Sequence, residues 1–141
     1  DKEAIAAAYG NLGVIAMTRG DLDTAVDYYN QALALNKKLG RKEGMAANYG
    51  NLGLVAKEQG DIDAAGDYLN QALDLHEELG SKEGMALNYA GLGAVAVVRG
   101  DLLEARQFWV QARGLYAEMG VQPKVAQYDQ LLADLEPPAE P

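Results

Sequence analysis

The stretch RKEGMAANYGNLG at residues 41–53 has two near-copies in the chain, DKEAIAAAYGNLG at 1–13 and SKEGMALNYAGLG at 81–93. A second set of similar segments follows these: DLDTAVDYYNQALAL at 21–35, DIDAAGDYLNQALDL at 61–75 and DLLEARQFWVQARGL at 101–115. Because the two sets alternate, the repeating unit is about 40 residues long and holds two elements, a period typical of solenoid arrays.

The first element of each copy has the spacing of an amphipathic helix. In the first copy, aromatic, apolar and small residues fall at i, i+3, i+4 and i+7: Tyr9, Leu12, Gly13 and Ala16. This spacing places them on one face of a helix, and we expect that face to contact the second helix of the same copy. Gly13 would let the partner helix approach closely, since it has no side chain.

Gly-Asp pairs separate the two elements in every copy, at Gly20-Asp21, Gly60-Asp61 and Gly100-Asp101. Glycine adopts the left-handed conformation that ends many helices, and aspartate is a favoured N-cap for the helix that follows. Two helices joined by so short a turn run antiparallel. Each copy is therefore predicted to be an αα-hairpin.

The last part of the chain continues the period without completing a fourth copy. The residues one repeat after Ala86, Leu92 and Gly93 are Ala126, Leu132 and Ala133. Pro123 suits the first turn of a helix, and the end of a solenoid needs a capping element with a polar outer face. We therefore predict an all-α solenoid of three antiparallel hairpins with a C-terminal capping helix. Its parts are repeats at 1–40, 41–80 and 81–120, the capping helix at 121–136 and a disordered tail at 137–141.

The composition excludes several classes of function. The 141 residues carry a net charge of −9, no Cys and a single His, His76. Without Cys there is no disulfide and no thiolate metal site, and one His cannot build a dedicated metal site. The acidic charge disfavours nucleic acid and anionic membranes, and no stretch approaches the roughly 20 apolar residues of a membrane span. We expect a cytoplasmic protein that has no cofactor and is not an enzyme.

The repeated positions resemble the signature of the tetratricopeptide repeat, W-x2-L-G-x2-Y followed by A-x3-F and Pro. The matching residues are Tyr9, Leu12, Gly13, Ala16, Ala25 and Tyr29, then Tyr49, Leu52, Gly53, Ala65 and Leu69, then Tyr89, Leu92, Gly93, Ala105 and Trp109. The terminal Pro is absent, and the unit exceeds the family's usual length of about 34 residues. In length and in the YGNLG wording, the repeats resemble those of the Pins/LGN scaffold and of kinesin light chain. The resemblance implies a right-handed superhelix whose concave face, formed by the first helix of each repeat, holds an extended peptide.

The face of each first helix that points away from its hairpin partner is the predicted groove. The residues expected to contact a peptide are Asn11, Val14, Asn48, Asn51, Leu54, Glu58, Leu87, Asn88, Ala94 and Val98. The amides of Asn11 and Asn51 suit them to hold a peptide main chain, although both would also be ordinary as solvated surface residues. Gly91 replaces this Asn in the third repeat, so the groove becomes more apolar toward the C-terminus. Lys57 is the one basic side chain expected nearby, which argues against a carboxylate clamp.

Two functions fit such a surface. The first is a protein–protein interaction scaffold that binds a peptide or helix, basic or apolar, in the concave groove. The second is a self-associating structural unit that forms a homo-oligomer through its apolar groove or its repeat ends. The apolar residues Leu87, Ala94 and Val98 would be covered by a ligand, by a second copy or by the capping helix. Because residue 1 is Asp and not Met, we also expect the chain to be a segment of a longer protein.

Overall fold

The computed structural model describes residues 1–135, which form seven α-helices and no β-strand. In chain order the helices are α1 (Lys2–Thr18), α2 (Leu22–Leu39), α3 (Lys42–Glu58), α4 (Ile62–Leu79), α5 (Lys82–Val98), α6 (Leu102–Glu118) and α7 (Gln122–Asp134). The predicted all-α class is confirmed. The chain divides into two compact units after Gly80, with α1 to α4 in the first unit and α5 to α7 in the second. Residue 136 and the tail predicted at 137–141 lie outside the described residues.

The boundaries of the helices follow from the Gly-Asp turns. Gly20 has a φ of 76°, which is left-handed backbone, and the N–H of Asp21 then donates to a carbonyl in the last turn of α1 at 2.9 Å. The carboxylate of Asp21 accepts a hydrogen bond from the backbone N–H of Thr24, which caps α2. Gly60 and Gly100 have φ values of 81° and 77°, so the predicted turn conformation is confirmed in all three places.

The core of the first unit brings α2 against α1 and α3. Tyr29 of α2 is fully buried, and its ring lies on the bare backbone of Gly13. A Cβ atom at Gly13 would come within 2.5 Å of the ring carbon Cε1, so the prediction that this glycine permits close helix approach is confirmed. Leu33, Leu52 and Val55 belong to the same buried cluster.

Leu12 does not join this core, contrary to the expectation that it contacts the second helix of its hairpin. Its side chain is 40% exposed, whereas Leu52, which occupies the same position one repeat later, is 1% exposed. The two leucines face the same side of their helices. On α3 that side is covered by α2, but within residues 1–135 nothing in the first unit covers it on α1. Leu12 therefore belongs to the face on which repeats stack, not to the hairpin interface.

The second unit consists of the hairpin α5/α6 with α7 packed on α6. Tyr128 of α7 is buried, and its ring centroid lies 5.8 Å from that of Tyr116 and 6.3 Å from that of Trp109, both on α6. The indole N–H of Trp109 donates to the carbonyl of Ala90 on α5 at 3.1 Å. Trp109 thus contacts both neighbouring helices of its unit.

α7 packs by the face that carries Val125 and Tyr128. Ala126 and Ala133, which stand one repeat after the buried residues Ala86 and Gly93, are exposed, while Val125 and Tyr128 are buried. Val125 and Tyr128 lie at the positions that form the stacking face in the first helix of a hairpin. This is the face on which Leu12 is exposed in α1. α7 therefore stacks on the helix before it, and its hairpin face is exposed because no eighth helix follows within the described residues.

Candidate peptide-binding surface

A hollow of about 260 Å³ opens between α1 and α3 in the first unit. Its lining comes from three helices and the residue before α3: Ala6, Ala7, Gly10, Asn11, Val14, Asn36, Arg41, Gly44, Ala47, Asn48 and Asn51. Four of the predicted contact residues, Asn11, Val14, Asn48 and Asn51, therefore lie around one hollow. The hollow is lined mainly by small residues and carboxamides.

Small residues keep the hollow open. Ala7 and Gly10 line it from α1, and Ala47 lines it from α3. A Cβ atom at Gly10 would meet no atom within 4 Å. Packing therefore does not require glycine at this position, and the missing side chain simply enlarges the hollow.

Two amides border the hollow within reach of solvent. Asn11 on α1 is exposed and Asn51 on α3 is partly exposed. Each amide carries two N–H donors and one carbonyl acceptor, and a peptide main chain presents the complementary groups at every residue. The pair can therefore bind a peptide main chain from both sides of the hollow.

A second pair of amides lies deeper. The Nδ2 atom of Asn36 donates to Oδ1 of Asn48 at 2.8 Å, and the two residues are only 4% and 5% exposed. Asn36 packs on Gly44, where a Cβ atom would come within 2.5 Å of Nδ2. Asn48 is one of the residues that the sequence predicts to contact a peptide. Its side chain joins α3 to α2 and supports the floor of the hollow, and its contact with a peptide stays a prediction.

Arg41 is a lining residue that the sequence analysis missed. It precedes α3, and its Nη2 atom lies 3.4 Å from Oε1 of Glu3. The expectation that Lys57 is the one basic side chain near the groove is therefore wrong. Arg41 and Asn36 both lie outside the first-helix stripe, one in the turn before α3 and the other on α2, so a helical-wheel pattern of the first helices does not include them.

The remaining predicted contact residues do not line this hollow. Leu54 and Glu58 are exposed further along α3. In the second unit, Leu87 and Val98 on α5 are 56% and 58% exposed. The other two α5 residues differ from each other: Ala94 is partly exposed and Asn88 is buried. Asn88 is therefore placed in the packed interior, as Asn48 is in the first unit.

Several side chains outside the hollow have raised pKa values. Burial raises the pKa of Tyr29, and burial is also the main reason that the pKa values of Tyr116 and Tyr128 are raised. The ammonium of Lys42 is hydrogen-bonded to Glu78 at 2.7 Å, which raises its pKa. In the part of the chain from 1 to 135, no cluster of three or more His, Asp or Glu side chains could hold a metal ion. The helices of this part also lack the length and hydropathy needed to cross a bilayer.

The family assignment follows from residues 4–78, whose sequence matches the model of the tetratricopeptide repeat. This match covers more than half of the chain, and the chain belongs to the tetratricopeptide repeat family. The resemblance to the tetratricopeptide repeat signature is therefore confirmed, and the closer resemblance to Pins/LGN and kinesin light chain stays a prediction. Members of this family generally mediate protein–protein interactions and are generally non-enzymatic scaffolds.

Solved structures agree on the fold. The tetratricopeptide repeat domain of FLU from Arabidopsis is 18% identical, with a TM-score of 0.76, over 86% of this chain and 99% of that chain. BtubC (BKLC) from P. vanneervenii is also 18% identical, with a TM-score of 0.70, over 100% of this chain and 69% of that chain. At this identity the likeness establishes the α-solenoid fold alone. Comparison with curated protein sequences gives no match.

Proposed function

We propose that the first unit is a protein-interaction module that binds an extended segment of another protein in the hollow between α1 and α3. The observation that carries this proposal is the pair of accessible amides, Asn11 and Asn51, on a hollow lined by small residues. The general role of the family in protein–protein interaction supports it. The division into three repeats with a cap, and a cytoplasmic location, stay predictions.

The proposed binding mode relies on the main chain of the ligand. Asn11 and Asn51 donate to peptide carbonyls and accept from peptide N–H groups, so they hold the chain without selecting its side chains. Val14, with the alanines on both walls, contacts the apolar parts of the ligand. Because the Asn36–Asn48 hydrogen bond joins α2 to α3 beneath this surface, α3 is held in place before the ligand arrives.

The charge of the chain favours a basic or apolar ligand. The net charge is −9, and long-range attraction would draw a basic segment toward the surface. Arg41 is the cation that lines the hollow, and Glu3 lies 3.4 Å from it. Its charge is therefore largely compensated, so we do not assign it to a free C-terminal carboxylate.

The test begins with peptides selected on the wild-type protein from a displayed random library. Their affinities are then measured by calorimetry for the double variant Asn11→Ala/Asn51→Ala. If each amide contributes about 1 kcal/mol through its hydrogen bonds, the double variant should bind about 10- to 30-fold more weakly.

The matched control is Asn30→Ala/Asn70→Ala. It removes two exposed asparagines from α2 and α4, outside the hollow, and should leave the affinity unchanged. Equal binding by the hollow variant and the control would place the site elsewhere and contradict the proposal.

Self-association is a second candidate, favoured by the exposed apolar side chains of α5. Leu87 and Val98 are both more than half exposed, and exposed apolar patches often mark interaction sites. Sedimentation velocity over a wide range of protein concentration tests it. A dimer that the double variant Leu87→Ser/Val98→Ser converts to a monomer would support self-association, and a strict monomer at all concentrations would exclude it.

A further inference from the structure

One oxygen atom at the floor of the hollow has no hydrogen-bond partner. Asn36 lines the hollow and is 4% exposed. Its Nδ2 atom donates to Oδ1 of Asn48. Its own Oδ1 is the one buried side-chain nitrogen or oxygen atom within residues 1–135 that has no hydrogen-bond partner there. Because an unpaired buried acceptor destabilises a protein and is rare, this atom indicates a place where a ligand can supply the missing donor.

We propose that the hollow selects one side chain of the ligand, a carboxamide of Gln or Asn, whose N–H donates to Oδ1 of Asn36. This inference rests on the proposed function. Asn11 and Asn51 hold the main chain of the ligand at the rim of the hollow, and Asn36 determines which side chain enters between α1 and α3.

The hollow has room for such a side chain. Its volume of about 260 Å³ far exceeds the roughly 10–15 Å³ that one water molecule needs, and Ala7, Gly10 and Ala47 leave its walls short. Oδ1 of Asn36 is buried in the free protein, so the amide turns about its Cβ–Cγ bond to meet the ligand. This torsion has broad minima, and the amide of Asn48 can turn with it because it borders the same hollow.

The charges around the hollow favour a neutral amide over a charged side chain. Arg41 is the one charged lining residue within residues 1–135, and its Nη2 atom lies 3.4 Å from Oε1 of Glu3. A Lys or Arg of the ligand would therefore be buried without a carboxylate partner, which is costly. A Glu or Asp of the ligand would place a second acceptor against Oδ1 of Asn36.

The depth of Asn36 and the number of amides favour a carboxamide over a hydroxyl. Asn36 and Asn48 lie below the two amides that hold the main chain, so the side chains of Ser and Thr are short for this distance. A carboxamide carries two N–H donors and one acceptor. It can therefore donate to Oδ1 of Asn36 and also accept from a second amide of the hollow.

Selection from a displayed random library on the whole chain is the first test. Peptides that bind in the hollow are recognised by their weaker binding to Asn11→Ala/Asn51→Ala. In these peptides Gln or Asn should occupy one shared position, and this preference should disappear in peptides selected on Asn36→Leu. A hollow-binding set without a shared amide would overturn this inference and leave the proposed function standing. If the double variant weakens no peptide, the proposed function fails and this inference fails with it.

Calorimetry with one selected peptide then measures the contact itself. The amide residue is replaced by an apolar residue of similar shape, Gln by Met or Asn by Leu. This should weaken binding to the wild-type protein about tenfold, since a hydrogen bond to a buried acceptor is lost. Asn36→Leu removes the acceptor, so the same replacement should then change the affinity less than about twofold. Asn30→Leu alters an exposed asparagine on the same helix and should keep the tenfold difference.

The peptide replacements act on the unmodified protein, so the test does not depend on the folding of Asn36→Leu. In wild-type protein, the NMR resonances of the Asn36 NH₂ group should shift with the amide peptide and stay in place with its apolar counterpart. Equal affinity of the two peptides for the wild-type protein would overturn the proposal. So would an equal loss in wild type and in folded Asn36→Leu, or a Glu peptide that binds as tightly as the Gln peptide.

Discussion

The contact between Gly93 of α5 and Trp109 of α6 predicts the effect of one methyl group added at Gly93. A Cβ atom there would overlap Nε1 and Cδ1 of Trp109 and lie 2.9 Å from its Cε2. Trp109 is 8% exposed and donates its indole N–H to the carbonyl of Ala90. The ring cannot move aside without leaving this carbonyl and disturbing Tyr128, whose ring centroid is 6.3 Å away.

The magnitude follows from three opposing effects of Gly93→Ala. Overpacking a core position costs about 1–3 kcal/mol, and loss of the indole hydrogen bond costs about 1 kcal/mol. The gain in helix propensity from Gly to Ala is about 1 kcal/mol. We expect a net loss of about 2 kcal/mol in the free energy of unfolding. Gly114→Ala is the matched control on α6, because a Cβ atom there meets nothing within 4 Å, and it should be neutral or stabilising.

Urea unfolding followed by fluorescence measures this effect directly, since Trp109 is the one tryptophan of the chain. Gly93→Ala should lower the urea midpoint and shift the native emission to longer wavelength, as the indole becomes more exposed. Gly114→Ala should change neither the emission of Trp109 nor its contact with Gly93. A Gly93→Ala protein with wild-type emission and an unchanged or higher midpoint would refute the close-approach argument.

Three other predictions follow from burial and backbone geometry. Leu52→Ala should lower the free energy of unfolding by about 2–5 kcal/mol, and Leu12→Ala should lower it by less than about 1 kcal/mol, because only Leu52 is buried. Chemical unfolding measures both losses, and equal losses would contradict the stacking-face assignment. Gly10→Ala should stabilise the protein by about 1 kcal/mol, whereas Gly13→Ala should destabilise it because its Cβ would meet the ring of Tyr29. The pKa of the Tyr128 hydroxyl is raised in the folded protein, so the unfolded chain loses the hydroxyl proton at a lower pH than the folded chain does. Stability should therefore be unaffected by this group below its ordinary pKa of 10.0 and should fall as the pH rises above it. Tyr128→Phe should reduce the loss of thermal stability that the protein shows between pH about 9 and 11. An equal loss in the variant would mean that other groups cause it.

The hairpins were predictable from the sequence because local chemistry determines them. Gly20 and Asp21 are each favoured at a helix end for reasons that involve only nearby backbone. Gly13 was also correctly assigned to a close contact, since a glycine repeated at one position of a helix indicates a neighbouring helix. The all-α fold followed from these features.

The stacking of repeats was less predictable because it depends on which neighbours exist. Leu12 and Leu52 both lie in the sequence YGNLG, and they differ in burial because α2 covers Leu52. Ala126, one repeat after the buried Ala86, is exposed because no hairpin partner of α7 lies within residues 1–135. The period identifies equivalent positions, but it does not tell which of them are covered at the ends of the array.

The candidate site was predicted in part. Asn11 and Asn51 were found because they repeat at one position on an exposed stripe. Asn36 was not found because it comes from a second helix and its equivalents, His76 and Tyr116, are chemically different. The hydrogen bond between Asn48 and Asn36 was not predicted, since it joins residues of different helices that no sequence period connects. The contact of Asn48 with a peptide stays a prediction.

The most direct test of the proposed function is the NMR spectrum of the side-chain amides during titration with a library-selected peptide. We predict that the NH₂ resonances of Asn11 and Asn51 shift most and saturate with the affinity measured by calorimetry. The NH₂ resonances of Asn30 and Asn70 should stay in place. Shifts confined to Asn30 and Asn70, with Asn11 and Asn51 unchanged, would contradict binding in the hollow between α1 and α3.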